Sequence, residues 1–190
     1  MSVLRGLERQ QARDVNMNII GIDPASIGNI GMARVGISTD LQKEKWVDVF
    51  NLFWAEEITL NNNLSLTDRL FYATLHYWDN HGIYEDMLSI EVSHICGKGN
   101  DNFQRAIGML AGVCRALAEH ETKFIPAVRV KSFFKVKTKQ ELAKKLLSYN
   151  FDAASKKEIR RLIRAKQWNA TDAIAIAIAG YYEAQKKEQK

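Results

Sequence analysis

Acidic residues stand at the edges of the most apolar segments of this chain. Asp23 ends the first apolar run, Glu91 ends a second run near the middle, and Asp172 opens the longest run, 173–179. A carboxylate beside a buried core is unfavourable unless it is paired or binds a cation. If the three segments are neighbours in the fold, the acids converge on one site suited to a hard divalent cation.

The length and composition indicate an ordinary globular protein. A chain of 190 residues is long enough for one domain with a full hydrophobic core. No apolar run is long enough to span a bilayer, and residues 1–18 lack the apolar core of a signal peptide. We therefore expect a cytoplasmic protein without a membrane partner. The two cysteines and four histidines show no metal-ligand spacing.

Positive charge is concentrated in one part of the chain. Residues 123–166 contain fourteen Lys or Arg and three acidic residues, a net charge of +11, so the rest of the chain sums to −6 within a total of +5. Such asymmetry favours a polyanionic partner, most simply nucleic acid. The alternative is a set of solvated helix faces.

The hydrophobic patterns predict an α/β fold with a mixed, five-stranded sheet flanked by helices. The predicted strands are 18–22, 30–37, 46–55, 87–92 and 123–127. The first three are expected to form an antiparallel meander, with a turn at 38–44. The predicted helices are 64–80, 102–120, 139–149, 155–166 and 171–185. We expect an N-terminal extension at 1–17, one domain at 18–182 and a charged tail at 183–190.

Motifs at four places, in order, resemble those of the RuvC family of Holliday-junction resolvases, within the RNase H-like superfamily. Residues 20–26 (IGIDPAS) resemble the family's opening GIDPGS, with Ala25 replacing a glycine, and residues 89–92 (SIEV) resemble its second acidic motif. Residues 130–131 and 139–142 resemble its basic third region, and residues 169–177 (NATDAIAIA) resemble its closing DxxDALAIA. The resemblance covers about residues 18–180 and implies an RNase H-like fold.

The resemblance also implies a two-metal nuclease site. It implies that Asp23 bridges two Mg²⁺ ions, that Glu91 binds one and that Asp172 binds the other, with Mn²⁺ as a substitute. The family has Asp or His where Asn169 stands, and an amide can offer an oxygen but no charge. Two alternatives remain: Asn169 is either a ligand or a helix N-cap, and Asp172 could serve as a cap alone.

The same resemblance implies contacts with DNA. Lys131 and Lys139 match lysines near the scissile phosphate, although Lys139 could also be a solvated first-turn helix residue. His94 takes the place of an aromatic wedge, for which Phe103 or the Phe133–Phe134 pair could substitute. Residues 155–166 are expected to follow a DNA arm through phosphate contacts, or to dock their apolar face on the domain. The expected DNA-binding residues are His94, Lys98, Arg129, Lys131, Lys135, Lys137, Lys139, Arg160, Arg161 and Arg164.

Taken together, these features predict a metal-dependent, structure-selective endonuclease that resolves Holliday junctions or related branched DNA. Family members are homodimers, and the helix around Gly108 and Gly112 is a candidate contact. The alternatives are a junction-binding protein with impaired catalysis, prompted by Asn169, and an RNase H-like nuclease acting on RNA. An actin-like ATPase is disfavoured because no second phosphate-binding motif follows Glu91. The small size and the N-terminal extension suggest a phage or mobile-element version.

Overall fold

The computed structural model of the protein describes residues 17–24, 29–42, 45–59, 63–65, 68, 71–72, 87–92, 108 and 122–188. Most of the predicted helices 64–80 and 102–120 lies outside these residues, as do His94, Lys98 and Phe103.

Five strands form one mixed sheet, which confirms the predicted fold class. The strands are β1 (Met17–Asp23), β2 (Ile30–Gln42), β3 (Lys45–Ile58), β4 (Met87–Val92) and β5 (Thr122–Pro126). Their order in the sheet is β3-β2-β1-β4-β5. β1 and β3 are antiparallel to β2, whereas β4 is parallel to β1 and β5 is parallel to β4.

The hairpin of β2 and β3 is longer than predicted. Residues 38–44 were predicted as a turn, but the strand pairing continues from Ser38 opposite Val49 to Gln42 opposite Lys45. Thr39 and Val47 are β-branched residues suited to a strand, so the polar character of this segment did not prevent strand formation. The prediction of a long turn here was wrong.

Four helices lie in the C-terminal part that the structure describes: α1 (Ala127–Phe134), α2 (Lys139–Leu146), α3 (Ala153–Arg164) and α4 (Trp168–Glu188). Helix α1 was not predicted. It follows Pro126 and buries Val130 and Phe134, four residues apart on one face. Helix α2 starts at the predicted residue because Thr138 and Glu141 form a reciprocal capping box.

Helix α4 lies directly against the sheet. It begins three residues earlier than predicted and continues through Glu188, into the segment expected to be a tail. A Cβ on Gly21 of β1 would lie 1.9 Å from the carbonyl oxygen of Ala173, so only glycine permits this approach of helix and strand. Residues 170–180 of α4 are all buried. None of the described helices is long and apolar enough to cross a membrane.

Helix α3 docks on the outer strand of the sheet. Ile159 and Leu162 are fully buried, as expected for the docking alternative. The backbone N–H of Leu52 in β3 donates to Ser155 Oγ over 2.8 Å, and Phe50 forms a parallel bridge with Phe151. These contacts satisfy part of the edge of β3, which would otherwise expose unpaired backbone groups.

Candidate functional site

Three acidic residues from three elements meet at one end of the sheet. Asp23 is the last residue of β1 and Glu91 lies near the end of β4, and the parallel register pairs Ile22 with Ile90 just before them. Helix α4 brings Asp172 to the same place, since its backbone contacts β1 at Gly21. Asp23 and Asp172 are only 5% and 6% exposed.

The ammonium group of Lys139 lies among these acids. Its Nζ is 2.6 Å from Asp172 Oδ2 and 3.4 Å from Asp23 Oδ2. Burial alone would lower the pKa of Lys139, but the two carboxylates together hold that pKa above its ordinary value. Lys139 is therefore a constituent of the site, not a solvated residue in the first turn of α2.

Asn169 supplies a third oxygen to the same ammonium group. Its Oδ1 accepts a hydrogen bond from Lys139 Nζ over 2.9 Å, while its Nδ2 donates to the carbonyl oxygen of Asn29 over 2.7 Å. Asn169 is the second residue of α4 and Asp172 the fifth, so neither is the N-cap of this helix. The capping alternative is wrong for both residues, and both side chains face the site instead.

The site carries more negative charge than one lysine balances. Burial, reinforced by the charges of Asp23 and Asp172, raises the pKa of Glu91 to about 8. Burial also raises the pKa of Asp172 to about 6, although Lys139 opposes the shift. The Oδ1 atom of Asp172 is buried without a hydrogen-bond partner. A buried, unsatisfied carboxylate oxygen beside a carboxyl group with a raised pKa favours an additional cation.

The donor set fits a hard divalent cation. Carboxylate and amide oxygens are the ligands that Mg²⁺ and Mn²⁺ prefer. As the side chains stand in the described parts of the chain, no three His, Cys, Asp or Glu groups are close enough to hold a metal ion together. The ammonium of Lys139 is bonded to three of the predicted donors, Asp23, Asp172 and Asn169. A bound metal ion would therefore have to replace this ammonium.

The predicted DNA-binding residues that can be located are mostly exposed. Lys131, Lys135 and Lys137 are exposed on α1 and on the turn before α2. The charge of Lys131 lowers the pKa of both Glu91 and Asp172 against the larger effect of burial, which places Lys131 near the acids. Arg129 pairs with Glu183 over 3.0 Å.

The remaining predicted contacts lie on α3 or in the core. Arg160 and Arg164 are exposed, and Arg161 pairs with Glu158 over 2.6 Å. Phe134 is buried in the hydrophobic core, and Phe133 packs on it, with ring centroids 4.9 Å apart. Phe134 is therefore not placed to act as an aromatic wedge, whereas Phe133 is half-buried.

Two residues that support the site were missed by sequence reasoning. The backbone N–H of Asn169 donates to Glu57 Oε1 over 2.8 Å, and Glu57 Oε2 accepts from Asn29 Nδ2 over 3.1 Å. Glu57 and Asn29 thus fix the start of α4 and the orientation of the Asn169 amide. The signal that could have found Glu57 is the pairing of β2 with β3, which places Glu57 opposite Gly31. It was missed because the predicted third strand ended at residue 55.

Comparisons with known proteins support the architecture. No family model and no curated protein matches the sequence. The structure of RuvC from Thermus thermophilus is similar, with a TM-score of 0.59 and 15% sequence identity over 90% of this chain and 97% of that chain. T. thermophilus RuvC in complex with a Holliday junction substrate is similar too, with a TM-score of 0.60 and 16% identity over 90% and 96% of the chains. The chain therefore has the fold of RuvC.

Proposed function

We propose that the protein is a metal-dependent, structure-selective endonuclease that nicks four-way junctions or related branched DNA. One observation carries the proposal: oxygens of Asp23, Asp172 and Asn169, from two different elements, surround a single cationic group. Glu91, on a third element, adds a carboxyl group whose pKa is raised by burial and by the charges of Asp23 and Asp172. The similar RuvC structure that contains a Holliday junction substrate suggests the class of DNA.

The residues have distinct proposed roles. Asp23, Glu91, Asp172 and Asn169 would hold Mg²⁺, for which Mn²⁺ would substitute. When bound, two such ions supply an activated water and stabilisation of the leaving oxygen. Glu91 must lose its proton to act as a ligand, because only the carboxylate form binds a hard cation well.

Cationic side chains around the acids would position the DNA. Lys139 and Lys131 would contact the scissile phosphate and stabilise its charge. Further phosphate contacts are proposed for Arg129, Lys135, Lys137, Arg160, Arg161 and Arg164, and contacts beyond the described residues for His94 and Lys98. Phosphate contacts fix the position of a protein on DNA without reading its sequence. Two symmetric nicks need two sites, so we propose that the protein acts as a homodimer.

A junction-binding protein with impaired catalysis is the second candidate. Asn169 favours it, because the family has an acid or a histidine at this place and the amide brings no negative charge. Its oxygen is moreover already bonded to Lys139. On this hypothesis the protein binds junctions but holds the second metal ion too weakly to cut them.

The test is a cleavage and binding assay with the wild type and the Asp23→Asn variant. The substrates are a labelled four-way junction, a linear duplex of matching sequence and an RNA–DNA hybrid, each with Mg²⁺ or Mn²⁺. We expect the wild type to nick only the junction, near its branch. Asp23→Asn should abolish cleavage while binding stays equal or tightens, because a negative charge facing DNA is removed.

Other outcomes of this assay contradict the proposal. Cleavage by Asp23→Asn at the wild-type rate would exclude the metal site. Binding without cleavage by the wild type in both metals would favour the second candidate. Cleavage of the RNA–DNA hybrid alone would indicate a nuclease that acts on RNA.

A further inference from the structure

Two lysines occupy a backbone conformation that rarely carries a side chain. Lys135 has φ 56° and Lys166 has φ 57°, and they are the only residues besides glycine with positive φ in the part of the chain that the structure describes. Both lie in the left-handed region, where a Cβ crowds the following carbonyl oxygen. Such outliers persist where the surrounding structure fixes them, and they concentrate at functional sites.

Each lysine ends a helix in the same hydrogen-bond pattern. At the end of α1, Lys135 N–H donates to Ser132 O over 3.1 Å and Val136 N–H donates to Lys131 O over 3.0 Å. At the end of α3, Lys166 N–H donates to Ile163 O over 3.1 Å and Gln167 N–H donates to Leu162 O over 3.0 Å. This is the Schellman motif, whose left-handed position is usually glycine.

The helix dipole does not account for a lysine at either position. A cation near the C-terminus of a helix is favourable. However, α1 already has Lys131 in its last turn, and α3 already has Arg161 and Arg164. A glycine at the left-handed position would relieve the backbone and leave these charges in place.

Both lysines are close in sequence to residues of the acidic site. Lys135 precedes Lys139, which contacts Asp172, by four residues, and Lys166 precedes Asn169 by three. An extended chain spans about 3.6 Å per residue, so their Cα atoms lie within about 14 Å and about 11 Å of those of Lys139 and Asn169. Both side chains are exposed. Neither forms an ion pair with any described residue.

We propose that Lys135 and Lys166 bind DNA phosphates near the acidic site, and that their ammonium groups are the reason these turns carry lysine instead of glycine. The inference rests on the proposed function and extends it, since it assigns Lys166 a phosphate contact and gives both turns one role.

The test replaces each lysine with glycine, singly and together, and measures binding and stability in EDTA. Lys186→Gln is the matched control, because it removes one positive charge near the far end of α4. Binding to the junction should weaken about tenfold for each lysine lost, as for a hydrogen bond to a charged group. The slope of log K against log salt should flatten by about 0.9 per lysine. The melting temperature should stay the same or rise, whereas the control should change neither binding nor slope.

Two results would overturn the inference. Unchanged affinity and salt slope in the double variant would mean that the ammonium groups contact no phosphate. A lower melting temperature with unchanged binding would mean that the lysines act on the helix dipoles alone. Binding is measured on the linear duplex as well, because phosphate contacts need no branch. If the wild type prefers no junction, the proposed function fails, and the duplex data still decide the role of the two lysines.

Discussion

At the scale of single residues, Glu91 is the acid whose charge the fold tolerates least. Its pKa rises from 4.5 to about 8 because of burial and the neighbouring acids. Between these two pH values the folded protein binds a proton that the unfolded chain has released, so Glu91 makes stability fall as pH rises through this window. Asp172, with a pKa of about 6, adds a similar decline at lower pH.

We therefore predict that Glu91→Gln stabilises the metal-free protein at pH 8 and reduces the fall in melting temperature between pH 5 and pH 8. Thermal melts in EDTA at several pH values measure both effects. The control is Glu141→Ala, which removes a carboxyl group of the capping box of α2. Loss of a capping partner should lower the stability by about 1 kcal/mol. A pH dependence that is unchanged in Glu91→Gln would contradict the assignment.

Lys139 permits a second prediction at this scale. Lys139→Met removes the ammonium group that contacts the buried carboxylates of Asp23 and Asp172. The metal-free protein should therefore lose about 1 kcal/mol of stability at pH 8. The expected loss is small because the lysine side chain is 42% exposed. Mn²⁺ should then raise the melting temperature more in the variant than in the wild type, because no ammonium competes for the oxygens.

The control for this prediction is Lys131→Met. Lys131 is exposed, so the same change at Lys131 removes a charge near the acids without removing a buried contact. Equal stabilisation by Mn²⁺ in the wild type and in Lys139→Met would show that the ammonium and the metal do not compete.

At the scale of elements, α4 is placed by close backbone contacts. A Cβ on Gly31 of β2 would lie 2.0 Å from the carbonyl oxygen of Asn169, whereas a Cβ on Gly180 would lie 2.3 Å from Ser89 Oγ. We predict that Gly31→Ala pushes the start of α4 away from β2 and weakens Mn²⁺ binding. Overpacking of this kind costs about 1–3 kcal/mol.

Gly180→Ala is the matched control, because it crowds the same helix eight residues beyond Asp172. The added Cβ would meet the side chain of Ser89 instead of backbone atoms. It should lower the melting temperature with a smaller effect on Mn²⁺ affinity. Metal affinity is measured by calorimetric titration. Equal losses of affinity in the two variants would mean that the close contact at Gly31 has no special role in placing the acids.

Helix α3 carries the second prediction at this scale. Replacing Arg160, Arg161 and Arg164 together by Gln should weaken junction binding and flatten its salt dependence, by up to about 0.9 in slope for each lost phosphate contact. The nucleotide that is cut should not change. The triple replacement by Lys is the control, since it keeps the charge and should keep the slope.

A changed cleavage position in the Gln variant would mean that α3 reads bases. Unchanged binding would make its charge incidental to a helix that is docked through Ile159 and Leu162.

The elements differ in how far the sequence could predict them. β4 was predicted at its observed bounds because a short apolar run between polar segments allows few other structures. Helix α1 was missed because its eight residues are too few for a clear helical period and follow Pro126. The start of α4 was misplaced because it depends on Glu57 and Asn29, which are distant in sequence.

At the scale of the whole molecule, the sequence predicted which acids meet and, through the resemblance, that Lys139 belongs to their site, but not that its ammonium group contacts Asp23 and Asp172. The ends of β1 and β4 adjoin because parallel neighbours end at the same edge, and this follows from the order of the elements. The contact of Lys139 with Asp172 depends on where α2 docks, which no local pattern encodes. The basic segment 123–166 supplies this lysine, so the positive region and the acidic site adjoin.

The last prediction concerns the proposed homodimer. Each chain would supply one complete site, since Asp23, Glu91, Asp172 and Lys139 all belong to it. Wild-type chains mixed with Asp23→Asn chains should then form mixed dimers that cut only one strand of a four-way junction. The proportion of singly nicked junctions among all cut junctions should rise as the variant is added, and gel analysis of both labelled strands measures it. Sedimentation of the variant alone serves as the control that it still assembles. If adding the variant leaves the ratio of single to double nicks unchanged, the chains cut independently and the dimer is not the unit of cleavage.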